Sequence, residues 1–165
     1  MQPRRSSIRR AWAACRDPPT WPEGEVLYLL DTNVVSELRK VRSGRADPRV
    51  AAWADSVEAA ELYLSVVSLQ ELAIGVLLKE RGDPAQGAVL RSWLEEQVIP
   101  AFARRILPVD AAVALRSAAL HVPDPRPVRD RLIAATALVH GLRVVTRNLA
   151  DFRGTGAAVL DPWQA

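Results

Sequence analysis

Cysteine is almost missing from this sequence. Cys15 stands alone, so the chain can form neither an internal disulfide nor a multi-thiolate zinc site, which favours a reducing compartment. Long apolar runs are missing too. None approaches the roughly 18 residues of a membrane span, and "AWAAC" near the start is shorter than the about 7–15 apolar residues of a secretory signal. The chain is expected to be cytoplasmic. A strong charge imbalance is also absent. The net charge is +3, and residues 1–25, with five arginines against Asp17, Glu23 and Glu25, hold +2 of it, leaving +1 for the remaining chain. Nucleic-acid binding would need a local basic patch, because no global field exists. Lysine is scarce, two against twenty arginines. That bias suits bidentate phosphate contacts, and a GC-rich coding sequence would produce it equally.

What is present suits one folded domain. The chain has 165 residues, 49% apolar and 25% charged, and a domain near that size buries about 68–70% of its unfolded surface without staples. Residues 1–25 mix arginine, serine and proline with Trp12 and Trp21 and show no period of 2 or 3.6. They read either as a disordered or partner-docked leader or as the result of an upstream start assignment, with the natural start nearer Val26.

From Val26 short apolar runs alternate with helical patterns. "VLYLL", "LYLSVVS", "RILPV", "LRVVT" and the closing "AAVLDP" read as strands. "NVVSELRK", "PRVAAWADSVEAA", "SLQELAIGVLLKER", "PAQGAVLRSWLEEQVIPAF", "DAAVALRSAALHV" and "VRDRLIAATALVHG" read as helices, with Gly141 at a C-terminal cap. Such alternation predicts an α/β fold: a central parallel sheet of four to five strands flanked by helices on both faces over residues 26–165. Ligands in such sheets gather beyond the carboxyl ends of the strands.

Several polar residues fall at that edge. Asp31 ends the first strand, where it can cap the next helix or present a metal-binding carboxylate. Ser68 and Glu71 fit a capping box. Asp130 sits early in an apolar helix, where an acid complements the helix dipole. Asn148 and Asp151 follow the fourth strand in what reads as a turn. Asp110 reads as a structural helix-start acid. Gathering carboxylates costs free energy, since like charges raise one another's pKa. A hard divalent cation such as Mg²⁺ or Mn²⁺ supplies a reason to gather them. Arg39, Arg129, Arg131 and Arg147 are candidates for phosphate contacts near the rim, or are solvated helix-face arginines. Trp53 and Trp93 read as core packing and Trp163 as an anchor for the last strand.

Taken in order, "LLDTNVVSEL", "LSVVSLQELAIGV", "ILPVDAAVA", "DRLIAATALVHGLRVVTRN" and "AAVLDPW" resemble the motifs of PIN-domain ribonucleases of the VapC type, especially the FitB-like toxins of toxin–antitoxin systems. The resemblance runs from about Leu27 to Trp163. It implies a PIN domain in residues 26–165 and a Mg²⁺- or Mn²⁺-dependent endoribonuclease that cuts tRNA or mRNA to restrain growth. Products would carry a 5′-phosphate and a 3′-hydroxyl.

By motif, Asp31, Glu71 and Asp130 would hold the metal and act catalytically, with Thr32 and Asn33 orienting the first acid. The fourth position, acidic in many members, is Asn148 here. Its side chain could bind through its carbonyl oxygen or orient a water, or Asp151 could compensate. The resemblance further implies an antitoxin, seated in an apolar groove near the first helices, and a homodimer. A route through two histidines is disfavoured, because His121 and His140 fall inside or late in helices. Two other readings are weaker. An aspartyl-phosphate-forming phosphatase would need a second Asp where Asn33 stands. A catalytically weak PIN-like module that binds RNA or antitoxin is favoured only by Asn148.

Overall fold

The structure, a computed structural model, describes residues 24–165. The leader expected over residues 1–25, with Cys15, Trp12 and Trp21, lies outside the described residues apart from Gly24 and Glu25.

The apolar runs become five short strands: β1 (Tyr28–Leu30), β2 (Leu62–Ser65), β3 (Ile106–Leu107), β4 (Arg143–Val145) and β5 (Val159–Leu160). All pair in parallel, in the order β3-β2-β1-β4-β5. Successive strand side chains point to opposite faces, so an unbroken apolar strand requires cover on both. Leu29 and Val144 pack with Ile133, Ala134, Ala137 and Phe152, whereas Leu30, Leu64 and Val145 pack with Val34, Trp53, Leu72 and Leu94. The sheet is thus sandwiched as expected.

The helices that cover it are α1 (Thr32–Leu38), α2 (Pro48–Asp55), α3 (Val66–Gly82), α4 (Pro84–Trp93), α5 (Ile99–Ala101), α6 (Ala111–Ala119) and α7 (Val128–His140). Local chemistry sets many of their ends. The Asp47 carboxylate accepts from the Arg49 N–H and the Asp83 carboxylate from the Gln86 N–H, each just ahead of a proline at the first helical position. Asp110 caps α6 through the Val113 N–H at 2.9 Å, as expected of a structural acid. Gly141 closes α7 with φ +68, a left-handed conformation that favours glycine.

Three boundaries differ from the sequence reading. The second strand stops at Ser65, and Val66, Val67 and Ser68 already belong to α3. β-branched residues favour strands, but here Val67 is buried on the α7 side of the sheet as part of the helix. The helix expected over 48–60 ends at Asp55, and a 3₁₀ turn, Ala59–Glu61, follows. The long helix expected over 84–102 widens into a π turn at Leu94–Val98. Pro100 accounts for this break, since it cannot donate to the carbonyl four residues back and its ring crowds it.

Trp53 is 8% exposed and meets the edge of Tyr28 at 5.5 Å between ring centres. Trp93 and Trp163 pack against the same cluster. No helix among the described residues is long and apolar enough to cross a membrane.

The α3–α4 contact depends on a missing side chain. A Cβ added at Gly87 would stand 2.4 Å from the Cα of Glu80, which is backbone and cannot step aside. Gly87→Ala is therefore expected to destabilise the domain by about 1–3 kcal/mol, the usual cost of overpacking. Chemical denaturation of the two proteins checks this.

Candidate functional site

In the order β3-β2-β1-β4-β5 the chain first travels from β1 towards β3, then crosses to the other side of β1. The crevice beyond the carboxyl ends of β1 and β4 is therefore the topological switch point, where open α/β sheets bind ligands. Leu30 pairs with Val145, and the Asp31 N–H donates to the Val145 carbonyl at 2.9 Å. This register brings Asp31 and Thr146 side by side at that edge.

Asp31 is both a helix cap and a carboxylate at the crevice. One carboxylate oxygen, Oδ1, accepts from the Thr32 N–H at 2.8 Å at the start of α1. The other, Oδ2, accepts from the Thr146 hydroxyl at 2.7 Å and from Asn33 Nδ2 at 3.0 Å. Asn33 Nδ2 also reaches Thr146 Oγ1 at 3.2 Å, while Asn33 Oδ1 accepts from the Arg147 N–H at 3.3 Å. The "DTN" segment thus orients the first acid, as expected, by stitching α1 to the loop after β4. Burial pushes the Asp31 carboxyl above the ordinary aspartate range. The Thr146 and Thr32 hydrogen bonds oppose this, and repulsion from Glu71 and Asp151 adds to it.

Glu71 arrives differently from the sequence expectation. The Ser68–Glu71 capping box does not form. Ser65 caps α3 by accepting from the Val67 N–H at 3.1 Å, Ser68 is buried with its hydroxyl unpartnered, and Glu71 falls in the second turn. Its Oε2 accepts from the Thr32 hydroxyl at 2.6 Å, and its Oε1 pairs with Arg129 at 3.2 Å. Asp130 lies in the first turn of α7, as read from the sequence. Its carboxyl is also raised, first by burial, then by repulsion from Asp151, Asp31 and Glu71, with Arg129 opposing.

The structure therefore brings Asp31, Glu71 and Asp130 into one electrostatic neighbourhood and adds Asp151, carried by the 3₁₀ turn Leu149–Phe152. Asn148 takes part through its backbone, whose N–H donates to Thr146 Oγ1 at 3.0 Å. Its side chain is exposed and makes no hydrogen bond among the described residues.

As the side chains stand, no three acid, histidine or cysteine residues among the described residues are spaced to enclose one metal ion. The donor set nonetheless fits a hard cation. All donors are oxygens, Mg²⁺ commonly takes one or two carboxylates and keeps its waters, and a cation would relieve the repulsion that raises Asp31 and Asp130.

Thr146 is the residue of the candidate site that sequence reasoning missed. Its signal was a hydroxyl residue closing the fourth apolar run, at the same edge as Asp31. Among the candidate arginines, Arg147 stacks over Trp163 at 5.4 Å and Arg39 over Trp93 at 5.7 Å. Arg131 is not exposed for a phosphate contact: it is 5% exposed and donates to the Asp151 carbonyl at 3.4 Å. Neither histidine is hydrogen-bonded or ion-paired to any of the four acids. His140 is the last residue of α7, with both ring nitrogens unpartnered and its pKa lowered by burial.

The PIN domain profile matches residues 28–156. The chain belongs to the PIN domain family. This PIN domain is 39% identical over 142 residues to toxin FitB of Neisseria gonorrhoeae, covering 83% of this chain and 99% of that protein. It is 35% identical over 143 residues to VapC ribonuclease Y4jK of Sinorhizobium fredii, covering 84% and 99% of the two. The solved structure of FitAcB from Neisseria gonorrhoeae superposes with a TM-score of 0.76 at 37% identity, covering 84% of this chain and all of that one.

The raised acids make a pH prediction for the metal-free domain. A carboxyl whose pKa rises on folding binds more protons folded than unfolded, so stability falls as pH climbs from the ordinary value of 3.8 through the raised folded value. Asp130→Asn removes that loss. In EDTA it is expected to be more stable than the wild type at neutral pH, the two converging below pH 3.8, as read by denaturation at both pH values.

Proposed function

We propose that this PIN domain is the toxin of a toxin–antitoxin pair, a divalent-metal-dependent endoribonuclease that hydrolyses RNA phosphodiester bonds. The observation that carries the reading is the convergence of Asp31, Glu71 and Asp130 at the switch point, with Asp31 locked by Thr146, Asn33 and Thr32. The FitB and VapC relatives support the assignment through 39% and 35% identity over 99% of their own length.

Asp31, Asp130 and Glu71 would hold Mg²⁺ or Mn²⁺. When bound, the ion supplies a lowered pKa for an attacking water and neutralises charge on the scissile phosphate. This chain's residues perform the rest. Thr146 and Asn33 keep Oδ2 of Asp31 fixed, the Thr32 N–H fixes Oδ1, and the Thr32 hydroxyl orients Glu71. Such outer hydrogen bonds set ligand direction and basicity. Asp151 enters the same field and is a candidate for the fourth acid of the motif beside Asn148, which holds that position in the sequence. Arg147, exposed and stacked on Trp163, offers a guanidinium to an RNA phosphate.

An antitoxin is the expected partner. An apolar pocket floored by Leu30, Val35, Leu38 and Phe102, with Arg39 and Arg42 beside it, lies near the first helices where the resemblance places that partner. The homodimer is part of the same proposal.

The test is cleavage of purified tRNA and of mixed mRNA by antitoxin-free protein. Activity is expected with Mg²⁺ or Mn²⁺, absent in EDTA, and absent in folded Asp31→Asn and Asp130→Asn. Silence of the wild type across metals and RNAs, with RNA or partner binding retained, would instead favour a binding module.

Thr146→Val tests the Asp31 lock separately. It is expected to lower metal affinity or cleavage about 10–100-fold, the usual effect of removing an outer partner of a ligand. Calorimetric metal titration beside the cleavage assay reads it.

A further inference from the structure

Of the four acids at the rim, Glu71 alone has an ion-pair partner among the described residues, and that partner is Arg129. The two come from different helices. Glu71 sits in the second turn of α3 and Arg129 in the first turn of α7, immediately before Asp130. Both oxygens of Glu71 are in use, Oε2 by the Thr32 hydroxyl at 2.6 Å and Oε1 by Arg129 Nη1 at 3.2 Å.

Thr32 can stay in place when a cation arrives, because it engages only Oε2. Arg129 cannot, because two positive charges would compete for Oε1. The same guanidinium also offsets part of the repulsion on Asp130, so it does for two acids what a bound cation would do. Four other basic residues are engaged elsewhere. Arg131 is buried on the Asp151 carbonyl, Lys40 pairs with Glu37 at 2.7 Å, and Arg39 and Arg147 lie over tryptophan rings.

We infer that Arg129 is an internal counter-ion of the acid rim, holding Glu71 Oε1 and exchanging with the divalent cation that takes that oxygen. Metal loading and the Arg129–Glu71 pair are mutually exclusive. The inference rests on the metal-site reading above and adds a step of regulation to it.

The pair is built to be exchangeable. The Arg129 side chain is 57% exposed and that of Glu71 22%, so the pair is partly solvated and weak. A divalent charge attracts the same oxygen twice as strongly at equal distance. Once displaced, the guanidinium remains beside Asp130 and is free to turn to an RNA phosphate, the ligand its planar donor fork matches.

The experiment is calorimetric titration of the metal-free full chain with MnCl₂, for the wild type, Arg129→Gln, Glu71→Gln and the double variant. Neither substitution removes a buried contact, and Gln at 71 can still accept from Thr32, so folding is preserved and is checked by circular dichroism. Removing the competitor is expected to tighten Mn²⁺ binding about two- to fivefold in Arg129→Gln, the range set by the strength of partly exposed pairs. The gain should vanish in the Glu71→Gln background, because pairwise coupling appears as failed additivity. Unchanged or weaker binding in Arg129→Gln overturns the inference. So does an equal gain in both backgrounds, which would mean a general field effect and no exchange at Oε1. A wild type that binds no Mn²⁺ defeats the metal-site reading itself and the inference with it.

Discussion

The pairing of β1 with β4 is the constraint on which the rest depends. It is a parallel pairing of segments more than a hundred residues apart, and it alone brings the end of the first strand beside the end of the fourth. Without it Asp31 would be an isolated helix cap. With it, the Asp31 N–H is tied to the Val145 carbonyl and the Asp31 carboxylate to the Thr146 hydroxyl. The crevice opens at this point because β2 and β4 flank β1 on opposite sides, and the following segments diverge.

The acids around that crevice are held at an energetic disadvantage. Asp31 is buried to 9% exposure, and its raised pKa records the cost of charging it there. The Thr146 and Thr32 hydrogen bonds offset part of that cost, and with the Asn33 contact they fix its orientation. Asp130 has less help: it is raised by burial and by three neighbouring acids, with Arg129 as its opposing influence. A fold selected only for stability would not retain this arrangement, and a cation brought to the rim would resolve it.

The core explains how the tension is tolerated. Leu29, Leu30, Leu64, Val144 and Val145 are fully buried, so the strands beneath the rim lie in close-packed surroundings on both faces. The rim rests on a platform whose side chains have little room to move. Thr32, Asn33 and Thr146 then add the last directional restraints.

The amino-acid pattern carried the strand positions, most helices and three of the acids. Apolar runs, prolines at helix starts and Gly141 are local signals, and local physics reads them: burial, fixed φ and a permitted left-handed turn. It misplaced the start of α3 because "SVVS" is apolar and β-branched in either state. Burial of Val67 beneath α7 favours the helix, and that contact is distant in sequence. It overlooked Thr146 and gave Arg131 a place at the surface for the same reason. A hydroxyl's partner or an arginine's exposure depends on which distant element lies opposite. Asn148 and Asp151 stand three positions apart and both are exposed, and only the path of the 3₁₀ turn that carries Asp151 brings its charge to the cluster. Residue type and spacing therefore announced that carboxylates would meet beyond the strand ends. Register, burial and the path of that turn, which arise only when separate elements pack, selected which ones meet and what holds them.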